Sequence, residues 1–174
     1  MTGLVLIALL IIVVTLYSYY QIRGIKSLAP WIPSNLQLLN QALTDLNLPA
    51  KTSFIDLGAG DGRAVFLAAQ KFNLRATGVE LAPLIWLLSQ ARRLFYPGLK
   101  IELLRSDLYK TNLRPYSIIY CYGLPETINK KILSKLQQEI QPGGYFLTYD
   151  FPITDRPTLK VYKNKWRTLS VYKF

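Results

Sequence analysis

Phe54-Ile55-Asp56-Leu57-Gly58-Ala59-Gly60-Asp61-Gly62-Arg63 is an apolar run that ends in an acid and opens into three alternating glycines. Glycine has no Cβ and tolerates positive φ, so a backbone written this way turns sharply and lets a ligand come close. Residues 52–57 read as a buried strand and 58–62 as a loop. Residues 63–72 read as a helix whose Val65, Phe66 and Ala69 face inward. The order strand, loop, helix is that of a nucleotide-type cofactor turn.

Outward from this unit the alternation continues. Residues 75–81 form a second strand ending at Glu80, 83–96 a second helix, and 100–104 a third strand followed by Ser106-Asp107-Leu108. A fourth strand spans 117–122, and a helix over 126–140 carries Ile128, Ile132, Leu136 and Ile140 at four-residue steps before Gln141-Pro142-Gly143-Gly144 stops it. Residues 145–149 make a fifth strand, and 158–162 with 168–172 a hairpin across 163–167. Upstream, Ser34 as N-cap and Gln37 as its capping-box partner start a helix with Leu36, Leu39, Leu43 and Leu46 on one side. Strands alternating with helices predict a parallel sheet with helices on both faces, closed by an antiparallel end.

The 174 residues carry 21 Lys and Arg against 10 Asp and Glu, a net charge of +11. That balance attracts polyanions, and an anionic lipid leaflet is favoured here over nucleic acid. There is no histidine and one cysteine, so imidazole bases, His-ligated metals and intrachain disulfides are excluded. Cys121 lies in an apolar strand and reads as a small buried hydrophobe. Residues 3–22 contain no charge, long enough to cross a bilayer core at 1.5 Å per residue. No basic n-region precedes them, which favours an anchor over a cleaved signal. Arg23 and Lys26 follow, so the positive-inside rule places the remainder on the cytoplasmic side, with Tyr17, Tyr19 and Tyr20 at the interface. The expected organisation is an anchor over 1–22, a linker over 23–33 and a catalytic domain over 34–174.

Ligands of open α/β sheets bind beyond the carboxyl ends of the strands. The first four ends carry Asp56, Glu80, Asp107 and Tyr122. Glu80, 22 residues after Gly58, is spaced to accept from two ribose hydroxyls, and Asp107 to accept from an adenine amine or to cap its own turn. A dinucleotide loop reads G-x-G-x-x-G and faces a diphosphate. Here the string is Gly-x-Gly-x-Gly, with Asp56 before it and Asp61 within it, which would repel a diphosphate and suits a cationic cofactor such as S-adenosylmethionine.

Residues 56–62, Glu80, Asp107 and the Gly143-Gly144 turn together resemble the seven-β-strand class I S-adenosylmethionine-dependent methyltransferases, a Rossmann-like α/β fold. A closer resemblance is to the membrane-anchored lysine methyltransferases that modify the ATP synthase c-ring protomer and the adenine nucleotide translocase. It rests on the apolar N-terminus, Pro30-Trp31-Ile32-Pro33-Ser34, Asp61-Gly62-Arg63, Gly78-Val79-Glu80-Leu81, Ser106-Asp107-Leu108 and Tyr122-Gly123-Leu124-Pro125. Lacking an Arg- and Ser-rich transit segment, the chain fits a prokaryotic relative in a plasma membrane. The resemblance implies that Gly58 and Gly60 line the methionine end, Asp56 orients the ammonium, Glu80 holds the ribose and Asp107 the adenine. Tyr122-Gly123-Leu124-Pro125 stands where enzymes that methylate base nitrogens carry Asn/Asp-Pro-Pro-Tyr/Phe, so a lysine on a protein in or near the membrane is the expected substrate. Tyr122, Trp31 and Tyr149 are candidates to contact the alkylammonium, and Glu126 or Asp150 to take its proton. No metal is needed. A lipid amine or small molecule as acceptor, or a non-enzymatic cofactor-binding membrane module, are the alternatives.

Overall fold

Phe54, Ile55, Ile118, Ile119, Phe146 and Leu147 sit at consecutive strand positions and all are fully buried, the pattern of strands covered on both faces. The computed structural model describes residues 2–27 and 35–174. They fall into two units, residues 1–32 and 33–174.

The first unit is helix α1 (Thr2–Ser27). It continues past Ile22 into residues read as linker, since nothing before Pro30 breaks the backbone ladder. Its side chains are described at 3–8, 10–15, 18 and 19, and among the described residues no helix is long and apolar enough to cross a membrane.

The second unit opens with α2 (Gln37–Leu46), which buries Leu38, Leu39, Ala42 and Leu43. Ser34, expected to cap it, lies outside the described residues; Asn35 Oδ1 accepts the Gln37 N–H at 2.8 Å. There follow β1 (Ser53–Leu57), α3 (Arg63–Phe72), β2 (Arg75–Glu80), α4 (Pro83–Arg93), β3 (Ile101–Arg105) and β4 (Ile118–Cys121). A π-helical segment (Thr127–Ile132) then runs into α5 (Leu133–Glu139), and β5 (Tyr145–Tyr149), β6 (Lys160–Lys163) and β7 (Thr168–Lys173) complete the chain. The second helix stops at Arg93, three residues before its expected end, and is followed by turns.

The seven strands lie in the order β3-β2-β1-β4-β5-β7-β6. The first five are parallel, and β7 inserts antiparallel between β5 and β6. The sheet begins with β1 near its centre, winds out through β2 and β3, and returns to the other side of β1 with β4. That reversal opens a crevice at the carboxyl ends of β1 and β4. Leu57 is in register with Val79 on one side and Cys121 on the other, and Cys121 with Thr148. Gly58 therefore stands beside Glu80 and Tyr122, and Tyr122 beside Tyr149.

Close packing holds the loop down. A Cβ on Gly78 of β2 would come 2.9 Å from Ala59 Cβ and 2.9 Å from Val65 Cγ2, so the loop and α3 rest directly on that strand. At the sheet edge, Trp86 Nε1 and Gln90 Nε2 of α4 donate to the Leu103 carbonyl of β3 at 3.0 and 3.2 Å, covering an otherwise unpaired edge acceptor.

Candidate active site

Gly58 and Gly60 have φ of 86° and 59°, a region that a side chain would strain. The turn they make directs the loop's own donors inward. Gly58 and Ala59 N–H both donate to the Val79 carbonyl at 2.9 Å, Gly60 N–H to Glu80 Oε2 at 3.0 Å, and Gly62 N–H to the Ala59 carbonyl at 2.9 Å. A diphosphate cradle needs such donors free and facing the ligand. Here the acids near the ends of β1 and β2, Asp56 and Glu80, flank the loop instead.

Glu80 is gripped by the backbone: Oε2 by Gly60 and Oε1 by the Ala82 N–H at 2.8 Å. Burial pushes its carboxyl up, against the pull of the Ala82, Gly60 and Leu81 N–H groups. Each oxygen keeps a lone pair for a diol. Asp56, near the end of β1, is 4 % exposed, and its carboxylate makes no hydrogen bond or ion pair among the described residues. Burial drives its carboxyl well above the ordinary range, and the charges of Glu80 and Asp61 push the same way. A cation at this strand end would relieve both effects. Asp107 accepts the Tyr109 N–H at 2.9 Å through Oδ1, so it caps the turn after β3 and can still present its second oxygen to an amine.

Asp61, expected beside the cofactor, is committed elsewhere. Its Oδ2 meets Arg63 at 2.7 Å and Arg92 at 2.9 Å. Burial alone would raise its carboxyl, but the Arg63 hydrogen bond and the two guanidinium charges hold it below the usual range. It ties the loop to α3 and α4.

Beyond β4 and β5 three aromatic rings meet. Tyr122 packs edge-on against Tyr149 with centroids 5.7 Å apart, and stacks on Phe151 at 6.2 Å with 10° between the planes. Tyr149 is buried and its hydroxyl makes no hydrogen bond of good geometry. Burial pushes that phenol up, as does the Asp150 charge, while Arg167 and the Asn35 backbone oppose them. Trp31 lies outside the described residues.

The two carboxylates considered as proton acceptors are both engaged. Glu126 is 79 % exposed and paired with Lys130 at 3.0 Å, whose hydrogen bond and charge lower its carboxyl. Asp150, in a left-handed conformation with φ of 64°, binds the Arg167 guanidinium and accepts the Thr168 N–H at 3.3 Å. Cys121 is buried and its thiol is pushed up by burial first and then by Asp56, so it is inert.

The structure adds Phe151, Arg167 and Asn129 to these surroundings. Asn129 Nδ2 donates to the carbonyls of Pro125 at 2.9 Å and Pro152 at 3.3 Å, and Oδ1 accepts from Thr154 N and Oγ1 at 2.6 Å each. It joins the loop after β4 to the loop after β5. The sequence signals for it were slight: one asparagine in a helical pattern, with a proline four residues before it and another 23 after.

Sheet order and strand-end acids define the architecture as that of the seven-stranded α/β methyltransferases. A solved RNA methyltransferase from Salinibacter ruber shares this fold, with a TM-score of 0.72 at 22 % identity over 82 % of this chain and 93 % of that one. The ANTKMT methyltransferase domain profile matches residues 56–160, and this chain belongs to that family. A Caenorhabditis elegans lysine N-methyltransferase named for the C-type subunit of ATP synthase is 30 % identical over 139 residues, 76 % of this chain and 72 % of its own length. The human enzyme of the same name is 29 % identical over 130 residues, covering 73 % of this chain. The chain spans about half of that human relative, 54 %.

Proposed function

We propose that this chain transfers a methyl group from S-adenosylmethionine to the side-chain amine of a lysine on a membrane-associated protein. The observation that carries the reading is the buried, unpartnered Asp56 beneath a glycine loop whose donors face inward, next to the backbone-gripped Glu80. Names borne by relatives, two of them lysine N-methyltransferases of an ATP synthase component, support lysine as acceptor.

In this reading Asp56 faces the ammonium of the methionine end and Glu80 takes the two ribose hydroxyls. Asp107 faces the adenine amine. When bound, the cofactor would supply an electrophilic methyl on a sulfonium: a neutral amine nitrogen would bond to that carbon in line as the C–S bond breaks and the thioether leaves, without metal or covalent intermediate. The chain's task is alignment and deprotonation. Tyr122, Tyr149 and Phe151 form a wall able to hold an alkylammonium by ring faces and to strip its water. Keeping a lysine of ordinary pKa about 10.4 neutral at pH 7 costs about 4–5 kcal/mol; desolvation and nearby positive charge act in that direction. With Asp150 held by Arg167 and Glu126 by Lys130, the proton leaves to solvent.

The anchor is part of the proposal. Its support is the uncharged run over 3–22, the 26-residue length of α1, and the exposure of Leu4 through Ile7 and Leu10 through Val14. A helix that length spans about 39 Å at 1.5 Å per residue. Arg23 and Lys26 after the run support a catalytic unit on the cytoplasmic face of a prokaryotic plasma membrane.

Incubation of the protein with methyl-labelled S-adenosylmethionine and native membranes tests this. Label should enter a protein band as methyl-lysine and vanish with Glu80→Ala. Label in the lipid fraction alone would make the acceptor a lipid amine and overturn the lysine reading.

A further inference from the structure

α4 buries Ile85 and Ser89, and Trp86 ties it to β3, yet its solvent side is apolar. Leu84, Leu87 and Leu88 are 41, 53 and 52 % exposed, and just past the helix Leu94 and Phe95 are 81 and 82 % exposed. Positions 84, 87, 88, 94 and 95 follow one helical face, with the exposed Ala91 between them. A helix on the surface of a water-soluble domain carries polar residues there. Tyr96 stacks on Phe66 with centroids 4.7 Å apart, which fixes the turn and leaves Phe95 facing out.

Within the segment that carries this face the charges have one sign. From residue 83 to residue 100 there is no Asp or Glu, while Arg92, Arg93 and Lys100 are present. Arg92 is drawn to Asp61; Arg93 and Lys100 are exposed. We propose that this face of α4 lies in the headgroup region of an anionic bilayer. Its leucines and Phe95 enter the boundary with the acyl chains, and Arg93 and Lys100 reach lipid phosphates. A second copy of the chain is the poorer occupant. It would bring like charges together on a protein of net charge +11, whereas an anionic leaflet complements them. The proposal concerns α4 alone and does not depend on the acceptor being a lysine.

The full chain carries Leu87→Cys or Phe95→Cys labelled with an environment-sensitive dye, Cys121 being buried. Gln138→Cys on α5 is the reference, and thermal melting by circular dichroism confirms that each variant folds. In vesicles of phosphatidylcholine with phosphatidylglycerol, spin-labelled lipids should quench positions 87 and 95 about twofold or more above position 138. Phosphatidylcholine alone, or Arg93→Glu with Lys100→Glu, should reduce that excess. Equal quenching at all three positions would overturn the proposal. So would a dye shift before lipid is added that grows with protein concentration, the sign of a second copy. Insertion of α1 is read separately by alkaline extraction, so failure of the anchor and failure of the α4 contact are distinguishable.

Discussion

Asp56 is the position where burial and charge conflict most. Its folded-state pKa lies well above the ordinary carboxylate value, by burial first and then by Glu80 and Asp61. The native state therefore binds this proton more tightly than the unfolded chain does, and stability is lost as pH rises through the folded value. Asp56→Asn removes that penalty. Without cofactor, the variant should melt above the parent at pH 8, and the gap should close toward acid, where Asp56 is protonated in both states. Binding reverses the preference, because a neighbouring ammonium favours the carboxylate. Calorimetry in buffers of different ionisation enthalpy, between the ordinary carboxylate range and the raised value, should show proton release on binding S-adenosylmethionine. Asp56→Asn should release none and bind about ten- to a hundredfold more weakly, the 1.5–3 kcal/mol of a hydrogen bond to a charged group. A buffer-independent enthalpy for the parent chain would remove Asp56 from the cofactor's neighbourhood.

Among the elements, the segment after β4 sets the two flanking loops. Asn129 fastens them with four hydrogen bonds, so Asn129→Ala should cost about 1–3 kcal/mol in urea unfolding. It should lower methyl transfer while leaving cofactor affinity unchanged; an equal loss of both would make Asn129 merely structural. The helix carrying it was legible as a helix and illegible as π. Ile128, Ile132 and Leu136, all 0 % exposed, recur every four residues, and each such step overshoots a 3.6-residue turn by about 40°. A wider turn cancels the drift, so the signal was present but reads as ordinary amphipathicity. The strands and the loop were legible because buried parallel strands and alternating glycines leave local traces; the order of the strands in the sheet came from the structure. The Asp61–Arg92 ion pair was not legible, because Arg92 arrives from α4, 31 residues on. Nor were the commitments of Asp150 and Glu126, since a carboxylate's partner depends on packing across β7 or along a helix and not on its own position.

On the scale of the whole molecule, the apolar amino terminus and the charge balance give a quantitative expectation for membrane insertion. Residues 3–22 contain twelve Leu, Ile and Val, each contributing about −0.3 to −0.6 kcal/mol near the centre of a span, about −4 to −7 in all. One central arginine costs about 2.5–3.5 kcal/mol, so Ile11→Arg alone should leave the protein in the membrane fraction after carbonate extraction. Ile7→Arg with Ile11→Arg costs about 5–7 kcal/mol and also removes two favourable residues, so the double variant should appear in the supernatant. Parent protein released by carbonate would end the anchor proposal. Orientation has its own reading: with Arg23 and Lys26 directly after the run, protease added outside intact spheroplasts should spare the catalytic unit and cut it once they are lysed. Digestion without lysis would reverse the assignment of sides, and with it the compartment in which an acceptor lysine must be exposed.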